Sequence, residues 1–348
     1  MEDMKKNILD LNMKEFEDIL ISNSFEKYRA KQIYPLVFDK ISSFDEINNI
    51  PKKLKEFLNE NFCVNPVSIY KKLQSQKDYT KKYLMKLDDD NIIESVLMEY
   101  KFGLSACISS QVGCLMGCTF CASTVNSKIR DLTAGEMIGQ IVSMSKDVSK
   151  RISNIVIMGS GEPFDNYNNF IKFLELIGDE NGLNIGQRHI TVSTCGIVDK
   201  IRDFADRKMQ INLAISLHSP YQEKRENIMP ISRKFSIEEL IKSTDYYIKK
   251  TNRRITYEYA IIKNVNDSEK DALVLSKLIG HQLCHVNIIP VNTSSHNDYE
   301  KPNDQKIKKF LKILADNHIN ATVRREMGSD INGACGQLRI STISKENL

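Results

Sequence analysis

Short runs of β-branched residues alternate with helical patterns from residue 105 onward, and this alternation limits the possible folds more than any other feature. The strand-like runs are "SACISS", "SNIVIMGSG", "RHITVSTCG", "INLAISLHS", "RITYEYAIIK", "HVNIIPVN" and "INATVRRE". Helical spacing of apolar residues separates most of them, as in "TAGEMIGQIVSMSK" and "SIEELIKSTDYYIKK". Because strands that alternate with helices form parallel βαβ units, the sequence predicts an α/β fold with about six such units.

Small and polar residues end several of these runs, as in "GSGEP", "STCG", "SLHS" and "PVN". In parallel barrels the ligand site lies at the carboxyl ends of the strands. The sequence therefore predicts a partial (β/α)6 barrel that binds its ligand along that rim.

The region before the barrel has a different character. Residues 1–75 are rich in Lys, Glu and Asn with helical spacing of apolar residues, which predicts a small helical accessory domain. Residues 76–104 alternate around the turn "DDDN", which predicts a β-hairpin extension into the core. We assign residues 105–348 to the barrel and a C-terminal segment.

The composition is typical of a globular enzyme, with 41% apolar and 27% charged residues. A total of 49 Lys and Arg residues against 45 Asp and Glu residues gives a net charge of +4, which permits an anionic partner without requiring one. The first residues, "MEDMKKNILDLNMKEF", do not resemble a secretory signal, and no apolar run approaches the ~20 residues of a spanning helix. We therefore expect a cytoplasmic protein that does not contact a membrane.

The chain has eight cysteines, and three of them fall within "CLMGCTFC": Cys114, Cys118 and Cys121. A structural zinc site needs four ligands, often as two pairs, and no second pair follows. An iron–sulfur cluster held by cysteine alone normally takes four thiolates, so three would leave one iron open to a chelating substrate. The spacing favours an iron–sulfur cluster, with zinc or buried inert thiols as the alternatives.

Further motifs accompany the triplet: "CISSQVGCLMGCTFCAST", "MGSGEPF", "LAISLHSP", "IIPVN" and "RREMGSDINGACGQLR". Together they resemble the RlmN/Cfr family of RNA adenine methyltransferases, in the radical S-adenosylmethionine (SAM) superfamily, over nearly the whole chain. This resemblance implies one [4Fe–4S] cluster on Cys114, Cys118 and Cys121, and two SAM molecules per turnover. It also implies SAM binding by residues at strand ends: Gly161, Glu162, Ser193, Ser216, Leu217, His218 and Asn292.

The resemblance also implies covalent catalysis by two thiols. Cys335, in "GACGQL", would be methylated by one SAM, and a radical from the second SAM would activate that methyl group to add to adenine. Cys107 would resolve the adduct through a transient disulfide with Cys335, and Glu94 would take the hydrogen from the adenine carbon. Such a disulfide requires the two Cα atoms to approach within ~7 Å.

The motifs "SQVGC" and "GEPF" resemble the C2-directed RlmN branch rather than the C8-directed Cfr branch. The implied substrates are adenosine 2503 of 23S rRNA and adenosine 37 of tRNAs, and the implied partner is a flavodoxin-like one-electron reductant of a monomeric enzyme. Cfr-type methylation, another radical SAM reaction and a zinc-stabilised RNA-binding protein are the alternatives. Candidate RNA contacts are Lys128, Arg130, Lys249, Lys250, Arg253, Arg254, Arg324 and Arg325.

Overall fold

Three short helices form the N-terminal segment of the computed structural model, which describes residues 5–38, 41–125, 127–292 and 298–333. They are α1 (Met13–Ser22), α2 (Tyr28–Val37) and α3 (Lys52–Asn61). Two short parallel strands, β1 (Lys6–Asn7) and β2 (Phe62–Cys63), pair and join the two ends of the segment. Apolar side chains spaced for one face of each helix meet in a buried cluster that includes Phe16, Tyr34 and Leu58.

The next four strands are antiparallel neighbours in a sheet: β3 (Val67–Gln74), β4 (Lys81–Leu87), β5 (Ile92–Tyr100) and β6 (Gly103–Ile108). The predicted hairpin corresponds to β4 and β5, with its turn at "DDDN". The structure differs from the expected helical segment 1–75 at its end, because Val67–Gln74 is an edge strand of the sheet. Only Val67 of this strand is buried, so its lysine-rich sequence lacks the apolar alternation by which strands are recognised.

Six parallel strands continue the sheet beyond β6: β9 (Ile152–Ile157), β10 (Ile190–Thr194), β11 (Asn212–Ser216), β12 (Ile255–Ile261), β13 (Cys284–Pro290) and β14 (Ala321–Val323). The ten strands follow the order β14–β13–β12–β11–β10–β9–β6–β5–β4–β3. Seven helices connect or flank the parallel strands: α4 (Ala134–Val148), α5 (Tyr167–Ile177), α6 (Val198–Asp206), α7 (Gln222–Ile228), α8 (Ile237–Thr251), α9 (Glu269–Ile279) and α10 (Asp304–Asp316). The predicted α/β fold, a partial (β/α)6 barrel with an N-terminal helical segment, is confirmed.

Capping boxes define the starts of several helices. In α4, the Thr133 side chain accepts from the Glu136 backbone N–H, and the Glu136 carboxylate accepts from the Thr133 N–H in return. This exchange satisfies backbone donors that have no partner inside a helix. Ser236 and Ser268 cap α8 and α9 in the same way.

The N-terminal segment packs against α4 through two glycines of that helix. A Cβ atom at Gly135 would lie 2.8 Å from the Asp10 backbone nitrogen, and one at Gly139 would lie 2.4 Å from Asn65 Oδ1. The Asp10 carboxylate accepts from the Gly135 N–H at 2.6 Å, and the Asn65 amide donates to the Gly139 carbonyl at 3.2 Å. Small residues on α4 thus allow close contact between the segment and the barrel.

Two very short antiparallel strands, β7 (Gln111–Val112) and β8 (Arg130–Asp131), bracket the loop that carries the cysteine triplet. They hold the ends of this loop together above the carboxyl end of β6. Within the described residues, no helix is long and apolar enough to cross a membrane.

Candidate cluster and cofactor site

The loop between β7 and β8 carries three cysteines, Cys114, Cys118 and Cys121. Gly117 has φ +67°, and a Cβ atom there would lie 3.3 Å from the ring of Pro230. The Thr119 N–H donates to the Ile228 carbonyl at 3.0 Å. These contacts attach the cysteine loop to the segment that follows α7.

The three thiols line one cavity of about 170 Å³. Cys114 and Cys118 are buried and Cys121 is half-buried. Burial raises the pKa of the Cys114 thiol to about 12, and it also raises the pKa of Cys118. A thiol binds metal only after losing its proton, so metal loading here must displace protons from buried donors.

The donor set fits an iron–sulfur cluster better than a single ion. Among the described residues, no three His, Cys, Asp or Glu side chains converge as a site for one metal ion. The three thiols instead line one cavity, and the cysteine ligands of a cubane cluster bind separate iron atoms rather than one ion. Soft thiolate donors of this kind are also those that iron–sulfur clusters use.

Residues at the ends of the parallel strands complete the wall of this cavity. Those predicted from the sequence are Gly161, Glu162, Ser193, Ser216, His218 and Asn292. Leu217 does not line the cavity, because successive residues of an extended chain point to opposite sides and its side chain is fully buried in the hydrophobic core. The Oγ atoms of Ser193 and Ser216 lie 3.4 Å apart on neighbouring strands.

Only glycine fits at position 161. Its φ is +104°, and a Cβ atom there would lie 2.6 Å from the Cβ of Gln111 in β7. The next residue, Glu162, donates its backbone N–H to Gln111 Oε1 at 2.9 Å. The turn after β9 therefore lies directly against the base of the cysteine loop.

The Glu162 carboxylate joins two strand-end loops. It accepts from the Phe164 N–H at 2.9 Å and from the Cys195 N–H at 2.7 Å. Burial raises the pKa of Glu162, while these backbone donors oppose the shift. Each carboxylate oxygen has a further lone pair, so the group can also accept from a ligand ammonium.

His218 is a neutral imidazole beside the cysteine loop. Burial lowers its pKa to about 3, and the positive charge of Arg225 adds to the shift. Its Nδ1 accepts from the Ala260 N–H at 2.9 Å, so the ring proton is on Nε2. The ring meets Phe120 edge-on, with the ring centroids 4.8 Å apart.

Arg225 is a functional candidate that the sequence analysis missed. It is 1% exposed and donates to four oxygen atoms: the carbonyls of Leu217, Ser216 and Cys195 and the Ser232 hydroxyl. No ion pair joins it to a carboxylate in the described part of the chain, and a buried charge of this kind is costly without a counter-charge. A thiolate at the nearby Cys118 would supply the negative counter-charge. In the sequence, Arg225 resembles a solvent-exposed helical residue.

Cys195 also lines the cavity, although it belongs to none of the cysteine motifs found in the sequence. It packs against Cys118, and both burial and the Glu162 carboxylate raise the pKa of its thiol. Cys195 directly follows the last residue of β10, and a position at the carboxyl end of a parallel strand could have indicated that it lines the cavity.

A second cavity, of about 330 Å³, adjoins the first. The two share wall residues, namely Met158, Ile289, Val291, Asn292 and Arg324. Cys107, at the carboxyl end of β6, is buried in the wall of the second cavity together with Met98 and Met327. The cysteine loop and Cys107 thus face neighbouring spaces.

The predicted catalytic Cys335 lies outside the described residues. The last described residue before it, Gly333, lines the second cavity. Glu94 is 1% exposed on β5, and its Oε1 lies 3.0 Å from the Nζ of Lys82. Lys82 also donates to the Asn332 carbonyl at 3.1 Å, so it links Glu94 to the segment that leads to Cys335.

Several cations predicted to contact RNA are instead paired within the protein. Lys128 Nζ lies 2.8 Å from both Asp131 and Asp165. Arg130 binds Glu136 and Asp89, and its hydrogen bond is the main cause that lowers the pKa of Asp89 to about 2. These ion pairs stabilise the base of the cysteine loop and fix the positions of the two cations.

Two more of the cations predicted to contact RNA bind other groups of the protein. Arg253 donates to the Ile211 carbonyl and to Asn212 Oδ1 at the start of β11. Arg324 donates to Met158 Sδ at 3.6 Å and lies 3.8 Å from the Glu258 carboxylate, between the two cavities.

Comparison with known proteins explains this arrangement. A protein from Clostridium novyi named "Probable dual-specificity RNA methyltransferase RlmN" is 54% identical, over 96% of this chain and 98% of the relative. The protein of the same name from Alkaliphilus oremlandii is also 54% identical over the same shares. The chain belongs to the RlmN family.

Two family models match successive parts of the chain. The model "Radical SAM superfamily" matches residues 108–275, which include the cysteine loop and the ends of strands β9 to β12 at the first cavity. The model "Ribosomal RNA large subunit methyltransferase N-terminal domain" matches residues 6–64, which contain the three N-terminal helices. The predicted family is thereby confirmed.

One solved structure has the same fold as this chain over nearly its full length. It is a radical SAM methyltransferase from Sphaerobacter thermophilus, with a TM-score of 0.93 and 38% identity. The match covers 96% of this chain and 99% of that chain.

Proposed function

We propose that the protein is a radical SAM enzyme that methylates C2 of adenosine 2503 in 23S rRNA and of adenosine 37 in tRNAs. The observation that carries this proposal is the pair of adjoining cavities, one lined by three cysteines and the other by Cys107. A site for a cluster and SAM thus shares a wall with a site for thiol chemistry on a nucleobase.

Cys114, Cys118 and Cys121 would hold a [4Fe–4S] cluster, and Arg225 would balance its negative charge. When bound, the cluster supplies the electron that cleaves SAM to a 5′-deoxyadenosyl radical. Gly161 leaves room for the ligand backbone, and the Glu162 carboxylate accepts from the SAM ammonium. The Ser193 and Ser216 hydroxyls, the His218 imidazole and the Asn292 amide orient the rest of the molecule.

Cys335 would accept the methyl group of one SAM on its sulfur, and a second SAM would provide the radical that removes a hydrogen atom from this methyl group. The carbon radical would then bond to the adenine C2 atom and join RNA to protein through sulfur; loss of the C2 proton and of one electron to the oxidised cluster would restore the aromatic ring. In the final step the Cys107 thiolate would attack the sulfur of Cys335, so that an S–S bond forms and the C–S bond to the product breaks; the released carbon would keep the electron pair and take a proton to become the methyl group. Gly333 and Cys107 in one cavity wall support this pairing.

Glu94 would take the proton from the adenine carbon. A buried carboxylate needs a compensating cation to remain charged, and Lys82 provides one at 3.0 Å. Lys82 also holds the Asn332 carbonyl, so it would keep the base and the Cys335 segment in one arrangement.

The target base must leave its stack to enter the second cavity, whose volume of about 330 Å³ accommodates a nucleobase. Tyr100 lines this cavity, and the ring of Phe102 stacks on it with centroids 4.9 Å apart. Phe102 is 69% exposed, so it offers a flat apolar surface on which a neighbouring base can stack. Lysines of the N-terminal helical segment would contact phosphates.

The experiment is to compare Cys335→Ala with Cys284→Ala, a buried cysteine at the start of β13, on RNA labelled with deuterium at C2 or C8. We expect Cys335→Ala to abolish methylation while SAM cleavage continues, and Cys284→Ala to retain methylation. The wild-type enzyme should remove deuterium from C2 of the RNA and leave deuterium at C8 in place. Undiminished methylation by Cys335→Ala, or modification at C8, would overturn the proposal.

A further inference from the structure

An exposed apolar surface with two cations lies on the outer side of the cysteine loop. Its residues, called the Leu115 patch below, surround a shallow depression: Leu115, Met116, Pro230, Ile231, Arg233 and Lys234. Leu115 is 59% exposed although it follows Cys114 directly in the chain. Leu115 lies beside the half-buried Met116, Pro230 and Ile231, and a contiguous apolar patch rimmed by charged residues is typical of an interaction surface.

The two cations of the Leu115 patch have no close carboxylate partner among the described residues, although Lys234 Nζ lies 5.2 Å from the centroid of the Phe235 ring and its charge acts on Asp165. Arg233 and Lys234 are both exposed, and neither forms an ion pair within the described ranges. They differ in this from Lys128 and Arg130 in the same region, which are held by carboxylates. The patch therefore combines apolar contact area with free positive charge, which complements an acidic partner.

The Leu115 patch is separated from the cluster site by a single layer of protein. Met116 lines both the patch and the inner cavity of the three cysteines. Gly117 packs on Pro230, so the patch and the loop form one surface. The second cavity, where the RNA base would bind, shares no lining residue with the patch. A partner on the patch would thus be near the cluster without blocking the nucleobase cavity.

We propose that the Leu115 patch is the docking surface for the protein that reduces the cluster, a small acidic one-electron carrier. This rests on the proposed function, which requires such a donor. One electron leaves the reduced carrier, which is oxidised by one unit, and the cluster passes from the 2+ to the 1+ state without any bond being made. The patch is small and charged, which is typical of transient redox complexes that depend on electrostatic attraction.

The test uses cluster-loaded enzyme and a bacterial flavodoxin in its hydroquinone form. Stopped-flow bleaching of the cluster absorbance gives the rate of electron transfer, and a binding titration gives the affinity for flavodoxin. The variant Arg233→Glu/Lys234→Glu is compared with Arg202→Glu/Lys277→Glu, which makes the same charge change at exposed positions on α6 and α9. Leu115→Gln removes apolar contact without changing charge.

We expect Arg233→Glu/Lys234→Glu to lower the second-order rate at least tenfold at low salt, with a smaller deficit at high salt because of screening. Leu115→Gln should weaken flavodoxin binding at every salt concentration, and the control pair should match the wild type. All variants should keep their iron content and their rate of reduction by dithionite.

Equal flavodoxin rates in Arg233→Glu/Lys234→Glu and the control pair would overturn this assignment, as would a wild-type enzyme that flavodoxin does not reduce. A loss of RNA affinity with unchanged flavodoxin reduction would assign the patch to RNA and also overturn it. Methylation driven by dithionite separates the two proposals, since it fails only if the proposed function is wrong.

Discussion

Lys82 and Glu94 form a buried ion pair across neighbouring strands, with 3.0 Å between Nζ and Oε1. Their side chains are only 6% and 2% exposed. They occupy diagonal positions of the β4–β5 pair, since Lys82 is opposite Val96 and Glu94 is opposite Leu84. The pair lies where β5 meets the segment leading to Cys335, so one contact couples the stability of the sheet to the proposed catalytic base.

Removing the Lys82 cation should lower the stability of the folded protein. We expect Lys82→Met to lower the free energy of unfolding by about 3–5 kcal/mol, because it removes the cation that lies 3.0 Å from a buried carboxylate. Lys86→Met removes the exposed pair that Lys86 forms with Asp90 and should change the stability little, because solvent screens this pair. Urea unfolding under anaerobic conditions measures both, and equal losses would contradict the importance of burial here.

The cluster ligands can be distinguished from Cys195, which lines the same cavity. Cys118→Ser should lose most of the iron and acid-labile sulfide, because two thiolates cannot hold the cluster firmly. Cys195→Ser should keep both, because its thiol lies next to the Glu162 carboxylate and serves in packing. Iron and sulfide analysis with electron paramagnetic resonance checks this. Loss of iron in Cys195→Ser would make Cys195 a fourth ligand and close the position proposed for SAM.

His218 should make stability depend on pH. Its pKa is about 3 in the folded protein and 6.5 ordinarily, so the unfolded chain binds the proton first as pH falls. The stability from the neutral ring is complete above pH 6.5 and is lost toward pH 3, with a slope of up to about 1.4 kcal/mol per pH unit. Urea unfolding between pH 7.5 and 5 measures this slope.

The His218→Asn variant should flatten that dependence, because the Asn oxygen can accept from Ala260 and Asn tolerates the φ of +56°. His318→Asn is the matched control, since His318 has φ +62° but is exposed. The control should keep the wild-type slope. If both variants behave alike, the slope has another origin.

The exposed ring of Phe102 should contribute to RNA binding. We expect Phe102→Ala to weaken binding by about 1–3 kcal/mol, the range for one base stacked on an aromatic ring. Tyr79→Ala removes another exposed ring, 72% accessible at the start of the hairpin, and should leave affinity unchanged. Fluorescence anisotropy with an RNA hairpin provides the measurement. An equal effect of both variants would indicate a general loss of surface area.

Much of the barrel could be predicted because its signals are local. Each strand from β9 to β13 is a short β-branched run, and each is followed by an amphipathic helix, so periodicity alone was sufficient. The cysteine loop was equally clear, since its three ligands lie within one loop. The edge strand β3 was missed because exposed lysines hide its alternation.

The partners of individual side chains could not be predicted in this way. Arg225 has the spacing of a surface residue, yet it reaches the carbonyls of Cys195 and Ser216 on two other strand ends. Lys128 was expected to meet RNA, but Asp165 from a distant part of the chain holds it. Leu217 lies between two cavity residues and faces the core instead.

The sequence by itself determined the order of strands and helices in the barrel and the position of the three thiols, because both depend on residues that are neighbours in the chain. Only the tertiary structure decided that Lys82 meets Glu94 and Asn332, that Cys107 faces a cavity beside the cysteine loop, and which cations remain free. Those relationships arise when distant segments pack together, and burial then selects which charges must be paired.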